Sequence, residues 1–250
     1  MIKTLEDIFG ENETLSMDIH GCIRRKISNR LVRDIYEPAD AFTISFTYFD
    51  PESFEYEKVA FMKLLIQTHK SLEEAMKISD ARGGDEYSAT NCAAYYYNNF
   101  MDEADIACFE ENECQVPICE MHNLYISPKF RGKGLSEALI MQLPNILAEL
   151  GYTDAIITTY INPFKEQKEL SEVKELSSES FGGYCDNGEE TISVDKNVVK
   201  AAEKFLKKCG FEDCGNRYYA TTAQKLVNLG EKESPAIGQS YGLRASEYEC

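Results

Sequence analysis

Residues 120–150 constrain the fold of this chain more than any other stretch. They run from EMHNLYI, which alternates as a strand does, through a turn holding Pro128, Arg131, Gly132 and Gly134, into the amphipathic run LSEALIMQLPNILAEL. A strand that feeds a helix through a basic, glycine-rich turn is suited to binding an anion. The first amides of a helix have no intrahelical acceptor, and the helix dipole adds partial positive charge at the same place. Gly132 and Gly134 let backbone approach a ligand closely, while Arg131 and Lys133 add charge. The spacing is not that of a P-loop, which needs four residues between its first glycine and its Gly-Lys pair. Nor is it the Gly-x-Gly-x-x-Gly dinucleotide fingerprint.

With 250 residues, 43% hydrophobic and 28% charged, the chain can bury the core of one generous domain or two small ones. No apolar run approaches the ~18 residues of a membrane span. Glu6 and Asp7 stand where a secretion signal needs a basic start and an apolar middle, so a cytoplasmic protein is expected. The formal net charge of −17 argues against a nucleic-acid partner and favours a cationic one such as an amine. Nine cysteines without a Cys-x-x-Cys pair, beside only three histidines, read as thiols of a reducing compartment rather than a metal centre.

In chain order, Thr4 and Asp7 predict a short capped helix over residues 4–9. Residues 15–32 mix apolar positions with Arg24, Arg25, Lys26, Arg30 and Arg33, a cluster that reads either as a solvated strand face or as a phosphate contact. Residues 41–50 and 59–69 predict an antiparallel hairpin. Ser71 and Glu74 form a capping box that starts a helix ending at Gly83-Gly84. A second helix over 87–100 carries Cys92, Ala93, Tyr96 and Phe100 on one face, with one tyrosine of the 95–97 run left for the surface.

Strand alternation then places Glu120, His122, Leu124 and Ile126 on one face and Met121, Asn123 and Tyr125 on the other. The following helix turns Leu139, Leu143, Ile146, Leu147 and Leu150 to the core and is capped by Gly151. Pro144 should kink or split it. Residues 154–160 predict a buried neighbouring strand, 163–196 a charged insertion, 197–209 a helix ended by Gly210, and 217–222 a closing strand. Residues 231–250 show no clear element.

Arg131-Gly132-Lys133-Gly134-Leu135-Ser136 resembles motif A of the GNAT family of N-acetyltransferases, a strand followed by Arg/Gln-x-x-Gly-x-Gly/Ala at a helix start. Ser136 replaces the usual last glycine or alanine. Ala202-Glu-Lys-Phe-Leu-Lys-Lys-Cys-Gly210-Phe211 resembles the family's motif B, Ala-x-x-Phe-Tyr-x-x-x-Gly-Phe. The resemblance covers residues 119–162 and 197–222 and is thin before residue 119.

The resemblance implies one GNAT-type acyl-CoA N-acyltransferase domain over residues 1–230, an α/β fold. Its central sheet would be mixed and mostly antiparallel, splayed at the cofactor strand and flanked by helices. It implies acetyl-CoA as cosubstrate, with its phosphates on residues 131–136 and its pantetheine pairing with free backbone groups of Leu124, Tyr125 and Ile126. The implied reaction is direct attack of a primary amine on the thioester in a ternary complex. The acceptor would be a small molecule or a protein, and the insertion at 163–196 would lie near it as a lid or a surface decoration.

Acetyl transfer needs a base for the amine, a polarised carbonyl and a proton for the leaving thiolate. Family members often carry a basic glutamate early on this strand, which points to Glu120. His122 also qualifies, since imidazole ordinarily titrates near ~6.5. The family's proton donor is often a motif B tyrosine, and here that position is Leu206. Tyr218, Tyr219 or Tyr160 would have to substitute, or the thiolate leaves through water. A non-catalytic CoA-binding sensor on the same fold is the alternative.

Overall fold

The computed structural model describes residues 2–9, 15–22, 40–50, 53–69, 71–82, 84–101, 116–152, 154–161 and 196–233. The strands are β1 (Leu15–Cys22), β2 (Asp40–Asp50), β3 (Glu55–His69), β4 (Val116–Ile126), β5 (Ile156–Tyr160), β6 (Glu212–Asp213) and β7 (Tyr218–Thr222). The helices are α1 (Leu5–Phe9), α2 (Leu72–Arg82), α3 (Gly84–Phe100), α4 (Leu135–Met141), α5 (Leu143–Glu149), α6 (Lys196–Lys208) and α7 (Ala223–Glu233). They build a mixed α/β molecule around one sheet of order β1-β2-β3-β4-β5-β7-β6. Every neighbouring pair is antiparallel except β4 and β5.

Helices cover both faces of the sheet. On the first face α1, α4, α5, α6 and α7 bury a large apolar core with Phe42, Ile44 and Phe46 of β2, Met62, Leu64 and Ile66 of β3, and Cys119 and Met121 of β4. On the second face α2 and α3 cover a smaller cluster built from Ala75, Cys92, Ala93, Tyr96, Ile118, Ile156 and Ala220. Both faces of the middle strands are therefore buried, and β3 is apolar over residues 59–66 apart from Lys63.

Local signals account for most element ends. Thr4 and Asp7 cap α1 reciprocally, Asp7 N–H donating to Thr4 Oγ1 at 3.0 Å and Thr4 N–H to Asp7 Oδ2 at 2.8 Å. Ser71 Oγ accepts the Glu74 amide at the start of α2. On α3, Tyr96 is buried and Tyr95 is exposed, as expected of the tyrosine run, but Phe100 is 40% exposed. Pro144 has no amide to donate, and the helix divides just before it: Gln142 separates α4 from α5 while keeping helical angles. α5 ends at Gly151, φ +87°.

Three expectations need correction. The expectation of no element beyond residue 230 fails for the first three of those residues. α7 continues to Glu233, capped at its start by Thr222 Oγ1, which accepts the Lys225 amide at 3.1 Å. β5 begins at Ile156 rather than 154.

The alternation along β4 is also interrupted. Lys63 pairs with Asn123 and Leu64 with Met121, so His122 is an extra residue, a β-bulge. Past it, Leu124 and Ile126 join Cys119 and Met121 on the first face. Glu120 alternates with Cys119 and Met121 and so shares the second face with Ile118. Tyr125 stacks there on Phe61, ring centroids 5.1 Å apart. The proposed insertion (residues 163–195 of it), the basic cluster at 24–33 and the tail from 234 lie outside the described residues.

Candidate functional site

The turn after β4 is anchored by Phe130, which is 4% exposed and packs against Phe9 and Tyr48. Gly132 and Gly134 follow at φ +74° and +93°, angles that cost most other residues about 1–2 kcal/mol each. This backbone opens onto a cavity of about 390 Å³ lined by Lys3, Gly132, Lys133, Gly134, Ser136, Glu137, Phe205 and Lys208. Lys208 pairs with Glu137. The aliphatic stem of Lys3 lies against Gly134, so that a Cβ there would stand 3.4 Å from Lys3 Cδ.

Gly132, Lys133, Gly134 and Ser136 therefore line one cavity, while two other members of the turn do not. Arg131 is turned back toward the strand: its Nε donates to the Ile126 carbonyl at 2.9 Å, and its guanidinium lies 5.6 Å from the Tyr125 ring. Leu135 is 1% exposed and points into the core, leaving only its backbone for a ligand. Lys3 and Lys208 were not foreseen. Lys208 and Phe205 belong to the motif B segment, which marks them in hindsight, whereas nothing local marks Lys3.

The cradle lies on the first face of the sheet, and a second polar centre lies on the other. β4 and β5 pair from Ile118↔Ile156 to Met121↔Thr159, and among the described residues β4 residues 122–126 have no partner strand on that side. Leu124, Tyr125 and Ile126 form this unpaired edge. Just past the last β4–β5 pair, His122 Nε2 stands 3.3 Å from Glu120 Oε2, at ion-pair distance but outside hydrogen-bond alignment. The imidazole is 31% exposed and the carboxylate 8%, so His122 is the outer member of the pair.

Thr158 is the register partner of Glu120 on the same face, and its Oγ1, like Glu120 Oε2, is buried without a hydrogen-bond partner. Two adjacent unpartnered oxygens in a core are expensive, and such groups cluster where chemistry is done. A threonine in the apolar run 154–160 was the available signal for it. Lys63, buried on the same face, has its ammonium pKa pushed below the ordinary lysine range by burial.

The candidate proton donors also divide between the faces. Leu206 is buried in the first core. Tyr219 lies there too, its hydroxyl 3.3 Å from Asp213 Oδ2 and its pKa raised, mainly by burial. Tyr160 is the last residue of β5, on the Glu120 face, its ring tilted 43° against Tyr218 with centroids 4.9 Å apart and the Arg217 guanidinium 5.1 Å from its ring. Among the described residues no group of three histidine, cysteine or acidic side chains is arranged to hold a metal. None of their helices is long and apolar enough to cross a membrane.

No protein-family model matches this chain, and no curated protein matches it.

Proposed function

We propose that this protein is a GNAT-type N-acetyltransferase that moves the acetyl group of acetyl-CoA to a primary amine. One observation carries the reading. A basic cradle on one face and a carboxylate–imidazole pair on the other lie at opposite ends of an open strand edge, residues 122–126. A long ligand with an anionic end and a reactive end fits such a path.

Lys3, Lys133 and the amides of the turn hold phosphate oxygens. Backbone groups of residues 122–126 that face away from β3, of which the Ile126 carbonyl already accepts from Arg131 Nε, pair with the extended arm of the ligand. Bound acetyl-CoA supplies a thioester carbonyl for the amine to attack. The His122 imidazole, outermost, takes the proton that the amine releases, and the Glu120 carboxylate behind it stabilises the imidazolium. Tyr160 stands on this face to return a proton to the departing thiolate. The acidic surface, net charge −17, draws a cationic acceptor.

Leu206, a buried leucine where the family often has tyrosine, favours a second reading, a CoA-binding sensor without catalysis. Isothermal titration with acetyl-CoA, followed by CoA release against polyamines, aminoglycosides and peptide N-termini, separates the two. The transferase reading expects micromolar binding and acceptor-dependent release. Binding that is unchanged in Glu120→Gln, with no turnover for any amine, would establish the sensor. Absence of binding would remove both.

A further inference from the structure

The cluster beneath α3 contains a pair of thiols that the proposed reaction does not use. Cys92 sits in the middle of α3 and is 4% exposed. Cys214, half-buried, packs against the same cluster from the turn between β6 and β7. Cys214 Sγ donates to the Glu212 carbonyl at 3.7 Å, and the two thiols share this one cluster, near enough for each to shift the other's titration. The turn that presents Cys214 is tight, with Gly215, Asn216 and Arg217 all at positive φ, and Cys214 and Tyr218 are joined by a backbone bond of 2.9 Å. The turn thus holds Cys214 in one position against the cluster beneath α3.

The pair is also chemically asymmetric. The neighbouring Cys92 thiol draws the Cys214 pKa below the ordinary thiol value, while Cys214 and burial push Cys92 above it. Cys119 and Cys209 are buried elsewhere, Cys209 with its pKa pushed up to about 12, mainly by burial. Cys214 combines thiolate character with access to solvent, and its neighbour is placed to resolve it.

We propose that Cys214 and Cys92 are a modification site for hydrogen peroxide, oxidised to a disulfide that fastens α3 to the β6–β7 turn. The Cys214 thiolate attacks one peroxide oxygen, the O–O bond breaks, and water leaves after protonation. The resulting Cys214 sulfenic acid is attacked by the Cys92 sulfur; the S–S bond forms and a second water departs. The two thiols together lose two protons and two electrons, and the peroxide is reduced to two waters. The bond would form beside Glu120, whose charge reaches Cys92.

The test uses the intact wild-type protein. It is treated with hydrogen peroxide, quenched with N-ethylmaleimide, digested without reduction and mapped by mass spectrometry. A Cys92–Cys214 linked peptide pair, two hydrogens lighter than the separate peptides and released by dithiothreitol, is expected. In Cys214→Ser, a change at a half-buried position, Cys92 should remain fully alkylatable after the same treatment. The proposal is overturned if Cys214 links to another cysteine. It is equally overturned if both thiols stay alkylatable in the wild type, or if Cys92 oxidises in Cys214→Ser.

Discussion

The two faces of the sheet solve different problems. Under α1 and α4–α7 the interior is dry and well filled: Ile44, Leu64, Leu139, Leu143 and Leu147 are sealed from solvent, with Phe42, Phe46 and Phe211 beside them. Under α2 and α3 the cluster is smaller and shares its face with Glu120, Lys63, Thr158 and a thiol pair. Stability is concentrated on the first face. The second keeps polar groups that a purely structural core would replace, since an unmet buried acceptor costs about 1–3 kcal/mol. The contrast implies that changes on the two faces should separate stability from chemistry.

The largest expected effect attacks the cradle. Gly134→Glu forces a side chain onto a left-handed backbone, crowds Lys3 and places a negative charge at the proposed phosphate seat. Acetyl-CoA affinity measured by titration should fall by at least about 100-fold, close to 2.7 kcal/mol. Unaltered affinity would mean that the turn is not the anion seat.

On the second face, Glu120→Gln keeps the shape and removes the charge. Turnover with the best amine should drop about 100- to 1,000-fold while acetyl-CoA binding is retained. Equal losses of binding and turnover would place Glu120 in cofactor attachment instead.

Two adjacent threonines sharpen the comparison further. Thr159 Oγ1 donates to the Met121 carbonyl at 2.9 Å, whereas Thr158 Oγ1 has no partner. Thr159→Val should cost about 1–3 kcal/mol in denaturant unfolding, and Thr158→Val should be neutral or stabilising by up to about 1 kcal/mol. Equal costs would erase the distinction between the faces at this point.

The smallest effect concerns pH. Hydrogen bonds from Thr4, the backbone one first, hold the Asp7 carboxyl below its ordinary value. A folded pKa that is lowered stabilises above the unfolded value and is lost as pH falls through the folded one. Asp7→Asn should therefore remove a small part of the acid sensitivity seen in circular dichroism, on the dry face alone.

The turn and the strands around it were legible because their signals are local. Glycines at left-handed positions, a proline that cannot donate and caps such as Thr4 act within a few residues. The rest depended on pairing across distance. His122 becomes a bulge only because Lys63 and Leu64 of β3 take Asn123 and Met121 as partners. The approach of Lys3 to Gly134 and of Lys208 to Glu137 is set by how α1 and α6 pack on the first face. α7 did carry a signal, Thr222 three residues before Lys225 and then Leu226 and Leu229, but it merged into the polar composition of the tail.

A strand keeps parity: residues an even number apart point the same way. Glu120 and Ile126 are separated by an even count, and by that rule the carboxylate and the residue that launches the helix turn should look in the same direction. The one added residue at His122 makes the count odd. The chain thereby presents its reactive group to one side and starts its cradle on the other within a single strand. Substitution cannot undo this, because parity depends on residue number and not on residue type. Deleting one residue between 121 and 124 should bring Glu120 and the turn to the same side, a change of handedness in the site that no side-chain repair at those positions restores.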